Sequence, residues 1–123
     1  ITELPYDISF LAGFDGETLP TDLLVQIYGE MVMARSGTFD GEAGYISTTS
    51  DSQPVLVDVE KNGTSIYSTI PFFPNGDGAQ NMSAGVLETD NTFVSGDRIT
   101  FRVTQIGSSV FGQGLRFTLK CRV

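Results

Sequence analysis

The segment 54–70 constrains the fold more than any other part of this chain. Val57 and Val59 alternate with Asp58 and Glu60, which is the two-residue period of a strand with one buried face. Asn62 and Gly63 follow, and this pair favours the two positive φ angles of a type I′ turn. The segment therefore predicts a β-hairpin.

The turn also predicts the register of that hairpin, because a two-residue loop fixes which residues face each other. The numbers of paired residues should sum to 125. A slip by one residue would move the acidic side chains of the first strand into the core. The predicted pairs are Val59–Ile66 and Val55–Ile70 on the inner side and Asp58–Tyr67 on the outer side.

Two later segments, 98–106 and 115–123, alternate as clearly as the hairpin. In the last one, Cys121 takes an apolar position and is interpreted as a small core residue rather than a nucleophile. Weaker strand patterns cover 6–10, 45–49 and 86–88. Segments 13–20, 36–44 and 71–78 are rich in Gly, Pro and acids, and are predicted to be loops.

Segment 23–34 leaves two alternatives open. Its many apolar residues suit either a buried helix or a long strand that is bulged or bent. Gly29 disfavours the helix, because glycine inside a helix costs about 1 kcal/mol. Val25, Ile27 and Met31 share the parity of one strand face, which favours the strand.

These segments predict a fold. About eight strands with regular turn signals and no convincing helix are typical of an antiparallel two-sheet β-sandwich. We expect an all-β, jelly-roll-like sandwich formed as a single domain by residues 1–123.

Composition excludes several classes of chemistry. The chain has no histidine and one cysteine, so Ser-His-Asp catalysis, Cys-His catalysis and multi-cysteine zinc sites are excluded. Loop acids such as Asp40 with Glu42, or Asp15, Glu17 and Asp22, could form a catalytic carboxylate pair, but solvated loop acids are the simpler interpretation. We expect no cofactor and no enzymatic activity.

The net charge of −8 argues against a nucleic-acid partner. No apolar run approaches the roughly 20 residues of a membrane helix, so we expect no membrane insertion. The outward row Arg116, Lys120 and Arg122 should meet either acidic strands of the same domain or an acidic face of another copy.

Aromatic residues beside Asn and Asp in the predicted loops and strand edges suit carbohydrate, whose C–H faces are apolar and whose hydroxyls need polar partners. The alternative for Phe72 and Phe73 is that they close one end of the sandwich. The candidate binding residues are Phe39, Asp40, Tyr45, Phe72, Phe73, Asn75 and Asp77.

Two stretches of the chain resemble a known family. They are Val-Asp-Val-Glu-Lys-Asn-Gly-Thr-Ser-Ile-Tyr at 57–67 and Phe-Val-Ser-Gly-Asp-Arg-Ile-Thr-Phe-Arg-Val-Thr-Gln-Ile-Gly-Ser at 93–108. They resemble a β-sandwich module of tailed-bacteriophage virion proteins, such as tail-fibre, minor tail and head-decoration proteins. The opening Leu-Pro-Tyr-Asp-Ile at 4–8 is also similar to the start of such modules. The match departs in 36–53 and 71–85.

The resemblance implies a jelly-roll-like domain exposed on a virus particle and in contact with other virion proteins. It implies no catalytic or binding residue. We expect host-surface binding, with cell-surface carbohydrate as the ligand and the variable loops as its site. The alternative is a decoration or cement protein without a ligand. Because edge strands need cover, we also expect a homo-oligomer, as a trimer.

Overall fold

The computed structural model describes residues 4–15, 19–76 and 80–123. The described residues form strands and turns, and none of them belongs to a helix that could cross a membrane. In chain order the strands are β1 Ile8–Ala12, β2 Phe14–Asp15, β3 Leu19–Pro20, β4 Gln26–Val32, β5 Gly37–Thr48, β6 Val55–Lys61, β7 Thr64–Ser65, β8 Tyr67–Thr69, β9 Phe72–Phe73, β10 Val86–Leu87, β11 Thr92–Phe93, β12 Arg98–Gln105 and β13 Gln113–Arg122.

Two antiparallel sheets dominate the architecture. Sheet I has the order β1-β13-β5-β11, and sheet II has the order β4-β12-β6-β7, with β9 also paired to β6. Two further pairs, β8 with β10 and β2 with β3, extend the structure at its margins. The predicted all-β, antiparallel sandwich is therefore confirmed.

The core lies between the two sheets. Phe101 of sheet II stacks on Phe10 of β1, with ring centroids 5.2 Å apart, and lies 4.9 Å from the ring of Phe117 in β13. The alternation predicted for β12 and β13 is confirmed, since the apolar member of each alternating pair is buried. Cys121 is buried as predicted, and burial, with the nearby Asp7 and Asp40 charges, raises the pKa of its thiol to about 12.

The predicted hairpin turn is confirmed. Asn62 and Gly63 have φ angles of 52° and 90°, as a type I′ turn requires. Lys61 pairs with Thr64, and Glu60 pairs with Ser65, in the predicted register.

Beyond residue 66 the predicted register is wrong. The chain leaves β6, and Tyr67–Thr69 pairs with β10 instead, so that Tyr67 is buried rather than facing outward over Asp58. When the chain returns to β6, Val55 faces Phe73, and paired numbers sum to 128 instead of 125. The physical reason is that the Tyr67 ring gains more from burial between the sheets than from a solvated place on the outer face.

Segment 23–34 contains the bulged strand rather than the helix. β4 pairs with β12, and its register shifts between Phe101 and Arg102. Gly29 has a packing role, because a Cβ at this position would lie 2.8 Å from the Phe10 ring. β4 is the edge strand of sheet II.

The loop predicted at 36–44 is wrong, whereas a strand at 45–49 is confirmed but begins earlier, because both segments belong to the twelve-residue strand β5 inside sheet I. Its glycines suggest a loop in the sequence, but in the structure they lie within the strand, at a bulge and at a close packing contact. Gly41, with a φ of 120°, lies where the pairing with β13 is bulged. Gly44 lets the Phe73 ring approach, since a Cβ there would lie 2.9 Å from that ring.

The loop predicted at 71–78 is also wrong in part. β9 lies inside it, between Pro71 and Pro74, and pairs with β6. Proline is tolerated here because it flanks a short strand instead of interrupting a ladder. The Pro71 carbonyl accepts a hydrogen bond of 3.2 Å from the Val57 amide.

Candidate functional site

Two of the aromatic candidates are core residues. The exposed fraction of Phe39 is 2 %, and that of Phe73 is 0 %. Phe39 lies against Phe93, with ring centroids 4.9 Å apart, and Phe73 packs against Gly44. Neither ring offers a face to a ligand, so the expectation of sugar stacking at Phe39 and Phe73 is corrected.

The polar candidates and Phe72 are dispersed. Asp40 forms an ion pair of 3.0 Å with Arg122. Phe72 is half-buried, and its backbone is paired with Ser83 on the side opposite to β6. Asn75 is exposed, whereas Asp77 falls outside the described residues. The described positions among them lie in three different segments of the chain and form no hydrogen bond with one another.

Asp40 and Glu42 do not form a carboxylate pair. Asp40 lies at the surface, while Glu42 is buried and its Oε2 accepts a hydrogen bond of 3.0 Å from the Gly85 amide. Oε1 of Glu42 and the Tyr67 hydroxyl are both buried without a partner in the described part of the chain. Burial, reinforced by the neighbouring Glu42, raises the pKa of Tyr67 well above its usual value.

Tyr45 is the aromatic candidate that remains at the surface, with an exposed fraction of 40 %. The Arg116 guanidinium carbon lies 5.4 Å from the Tyr45 ring centroid and 5.1 Å from the Phe14 ring centroid. Arg116 thus lies between two rings, and we call Phe14, Arg116 and Tyr45 the platform. Cation–π contacts at exposed sites contribute about 0.5–1 kcal/mol each.

The strand register explains why the platform forms. Arg116 occupies an outward position on β13, between the buried Leu115 and Phe117. In the antiparallel ladder it lies opposite Tyr45 on one side and the exposed Leu11 on the other. Phe14 belongs to β2, which follows β1 after the single residue Gly13. The platform is therefore built on the rigid outer face of sheet I, with one ring supplied by a neighbouring hairpin.

The basic row of β13 is only partly neutralised. Arg122 is paired with Asp40, but within residues 4–15, 19–76 and 80–123 no carboxylate lies within ion-pair distance of Arg116 or Lys120. Pairing inside the domain therefore accounts for Arg122 alone in this row. The other ion pair in the described chain, Arg102 with Glu60 at 3.3 Å, belongs to sheet II.

A cleft of about 460 Å³ lies beside the hairpin turn. Its charged side chains are largely engaged within the fold: the Lys61 amino group donates to the Thr92 carbonyl at 2.7 Å, and the Thr92 hydroxyl donates to Asp90 at 2.6 Å. Its floor is formed by buried residues and presents no ring face. The remaining lining residues are Phe39, Thr64, Ser65, Ile66, Glu88 and Thr89. The platform is the better candidate site, because it combines the exposed Tyr45 ring with a cation that has no carboxylate partner among the described residues.

The two segments that carry the family resemblance are joined by hydrogen bonds between their turns. The Asn62 side-chain amide donates to Asp97 at 3.0 Å, and its oxygen accepts from the Arg98 amide at 2.9 Å. The Val94 amide, and next Asn62, lower the pKa of Asp97 by donating hydrogen bonds to its carboxylate. The Asn-Gly turn and the Gly-Asp-Arg turn are therefore one structural unit.

Sequence reasoning found Tyr45 but missed its neighbours. The alternation of the last strand predicts Arg116 at the surface, but its contact with the Tyr45 ring depends on the β5–β13 register, which the incorrect loop prediction at 36–44 does not contain. Phe14 gives no sequence signal, since it lies in a two-residue strand amid turn residues.

In comparisons with known proteins, no family model matches this chain and no curated protein matches it significantly.

Proposed function

We propose that this chain is a non-enzymatic β-sandwich protein of a tailed-bacteriophage virion, exposed on the particle surface, where it binds carbohydrate of the host cell surface. The resemblance at 57–67 and 93–108 supports the virion assignment, and the interlocked turns give those shared residues a scaffold role. The proposed assembly is a homotrimer in contact with other virion proteins.

The observation that carries the binding proposal is the platform. Sugar rings present apolar C–H faces together with hydroxyls, and exposed aromatic rings beside polar donors suit both. Tyr45 supplies an exposed ring and Arg116 supplies donors, on a sheet whose backbone is held on both sides by ladder pairing. Such a surface binds without rearrangement, which reduces the entropic cost of association.

The proposal is tested by titrating the purified protein against polysaccharide from host cell walls. We expect Tyr45→Ala to weaken binding at least about fivefold, since loss of an aromatic ring on which a ligand stacks costs on the order of 1–3 kcal/mol, the magnitude known for nucleobases. Tyr28→Ala, which removes a half-buried tyrosine from edge strand β4 of the other sheet, is the matched control and should leave the affinity unchanged. Equal binding by wild type and Tyr45→Ala, with both folded by circular dichroism, would contradict the platform as the site.

A second candidate function, capsid decoration or cementing, is favoured by a different observation. Edge strand β4 and the segment before it expose apolar side chains: Ile27 is 48 % exposed and Val32 is 60 % exposed, with Leu24 and Val25 similar. An exposed edge with apolar side chains is a common place for protein–protein pairing. A cement protein would use this edge against its neighbours.

The two functions predict different particle phenotypes. Particles assembled without a cement protein should lose heat or low-salt stability, while particles without an adhesion module should stay intact and fail to attach. Multi-angle light scattering of the free protein tests the trimer: a stable monomer at micromolar concentration would contradict it.

A further inference from the structure

The Arg116 guanidinium is fixed in the platform, with one edge that no described residue uses. Its Nη1 donates to the Ser47 hydroxyl at 3.0 Å and to the Gly114 carbonyl at 3.3 Å. Among the described residues, none accepts a hydrogen bond from Nε or Nη2. The side chain is exposed, so this Nε–Nη2 edge is available to a ligand.

The unused edge has a defined chemical complement. An arginine fork presents two parallel N–H groups that match the two oxygens of a carboxylate. The rings of Phe14 and Tyr45 hold the plane of the guanidinium, so less rotamer entropy is lost when a ligand binds.

The charges around the platform favour an anion there despite the acidic chain. The net charge is −8, so a randomly placed anion would be repelled. On the outer face of sheet I, however, the exposed Lys120 lies four residues from Arg116 on β13, about 13 Å away at the rise of an extended strand. Hydroxyls of Ser9 and Thr118, which are 3.5 Å apart, lie on neighbouring strands between these two cations.

We infer that the ligand of the platform is an acidic saccharide: a sugar whose carboxylate is bound by the Nε–Nη2 edge of Arg116 while its ring lies against Tyr45. This inference rests on the proposed carbohydrate-binding function and narrows its ligand class. Lys120 and the hydroxyls of Ser9 and Thr118 extend the site toward neighbouring sugar units of the same chain.

The inference is tested by NMR titration of isotope-labelled protein with three carboxylated sugars, namely glucuronate, galacturonate and N-acetylneuraminate, at constant ionic strength. Glucose and galactose serve as neutral partners, and sodium acetate serves as the free carboxylate. At least one carboxylated sugar should shift the Arg116 Nε–Hε signal and the Tyr45 ring signals together, with an affinity at least roughly tenfold above that of its neutral partner.

Variants distinguish recognition by the planar guanidinium of Arg116 from general attraction by positive charge. Arg116→Gln should abolish the preference for the carboxylated sugar, and Arg116→Lys should recover only part of it, because an ammonium lacks the planar fork. Arg98→Gln removes the same charge from an exposed position on sheet II and should leave the preference intact. An equal loss in Arg116→Gln and Arg98→Gln would overturn the inference in favour of general electrostatic attraction.

The remaining outcomes distinguish this inference from the function on which it rests. Neutral sugars that bind at Tyr45 as tightly as carboxylated ones would retain carbohydrate binding and overturn the acidic ligand. Acetate that shifts Arg116 with the same affinity as the sugars would overturn a saccharide site at the platform. Failure of every sugar and of host polysaccharide to bind would overturn both proposals.

Discussion

The outer faces of the two sheets use their charged side chains differently. On sheet II every outward carboxylate of the described strands has a polar partner within the sheet. These pairs are Glu30 with Thr100 at 2.7 Å, Asp58 with Ser65 at 2.6 Å and Glu60 with Arg102 at 3.3 Å. On sheet I, Arg122 is paired with Asp40, whereas Arg116 and Lys120 have no carboxylate partner in the described chain.

This difference separates residues that maintain the scaffold from residues available to a partner. Polar groups that satisfy each other on a half-buried face stabilise the sheet and leave little for a ligand to gain. Cations that stay solvated keep their hydrogen-bonding capacity for association, where desolvated pairs gain strength. Apart from Arg98 at the exposed start of β12, the described charges of sheet II are engaged within the fold, so sheet II has the properties of the structural face and sheet I those of the binding face.

The largest expected effect on stability comes from Phe73, which is buried between the two sheets. Phe73→Ala should reduce the free energy of unfolding by about 3–5 kcal/mol, because it leaves a cavity against Gly44 of the opposite sheet. Phe72→Ala, in the same strand but half-buried, should cost less than about 2 kcal/mol. Urea unfolding measures both, and equal costs would contradict the assignment of Phe73 to the core.

The next largest effect on the free energy of unfolding is expected for the ion pair on the outer face of sheet II. Arg102→Gln should cost about 1 kcal/mol, since it removes the charged partner of the partly solvated Glu60 and the cation beside Asp58. The affinity for carboxylated sugars should be unaffected, because Arg102 lies on sheet II. A loss of sugar affinity without a loss of stability would reverse the roles assigned to the two faces.

The sequence predicts the regular parts of both faces well. β12 and β13 alternate without interruption, and the Asn62–Gly63 turn has a conformation that few other residue pairs adopt. In these segments local propensity, hydrophobic period and tertiary packing all agree, so the local signal is sufficient.

The sequence fails where a residue's role is set by a distant neighbour. The glycines of β5 are indistinguishable from loop glycines until Phe73 is placed against Gly44. The sequence predicts the wrong face for Tyr67, because the predicted hairpin register extends beyond residue 66, where the chain pairs with β10 instead of β6. The platform was not predictable for the same reason, since Phe14 and Arg116 are about 100 residues apart in the chain.

A smaller effect is expected from the half-buried acid of sheet II, and it depends on pH. Burial raises the pKa of Asp58 above its usual value of 3.8, with a smaller opposing contribution from the Ser65 hydroxyl. Because the folded-state pKa is raised, ionised Asp58 destabilises the fold, and this cost increases as the pH rises from about 4 through the raised pKa.

Asp58→Asn should therefore stabilise the protein at pH 7, by no more than about 1 kcal/mol because Asp58 remains partly solvated. The amide oxygen can still accept the Ser65 hydrogen bond. The stability difference between variant and wild type should shrink as the pH falls through the raised pKa of Asp58 toward about 4, and it should stay small below that pH. Unfolding curves from pH 3 to 8 measure this trend, and a difference that grows on acidification would contradict the raised pKa.

The smallest effect on stability is expected on the binding face. Lys120→Gln should change the free energy of unfolding by no more than about 0.5 kcal/mol, because its ammonium is exposed and has no carboxylate partner in the described chain. The same variant should weaken binding of an acidic oligosaccharide and make that binding less dependent on salt, since one fewer cation then faces the ligand. Arg98→Gln, with the same change in net charge on sheet II, should leave both properties unchanged. A stability loss in Lys120→Gln as large as that in Arg102→Gln would mean that the cations of sheet I serve the fold, and the distinction between the two faces would no longer hold.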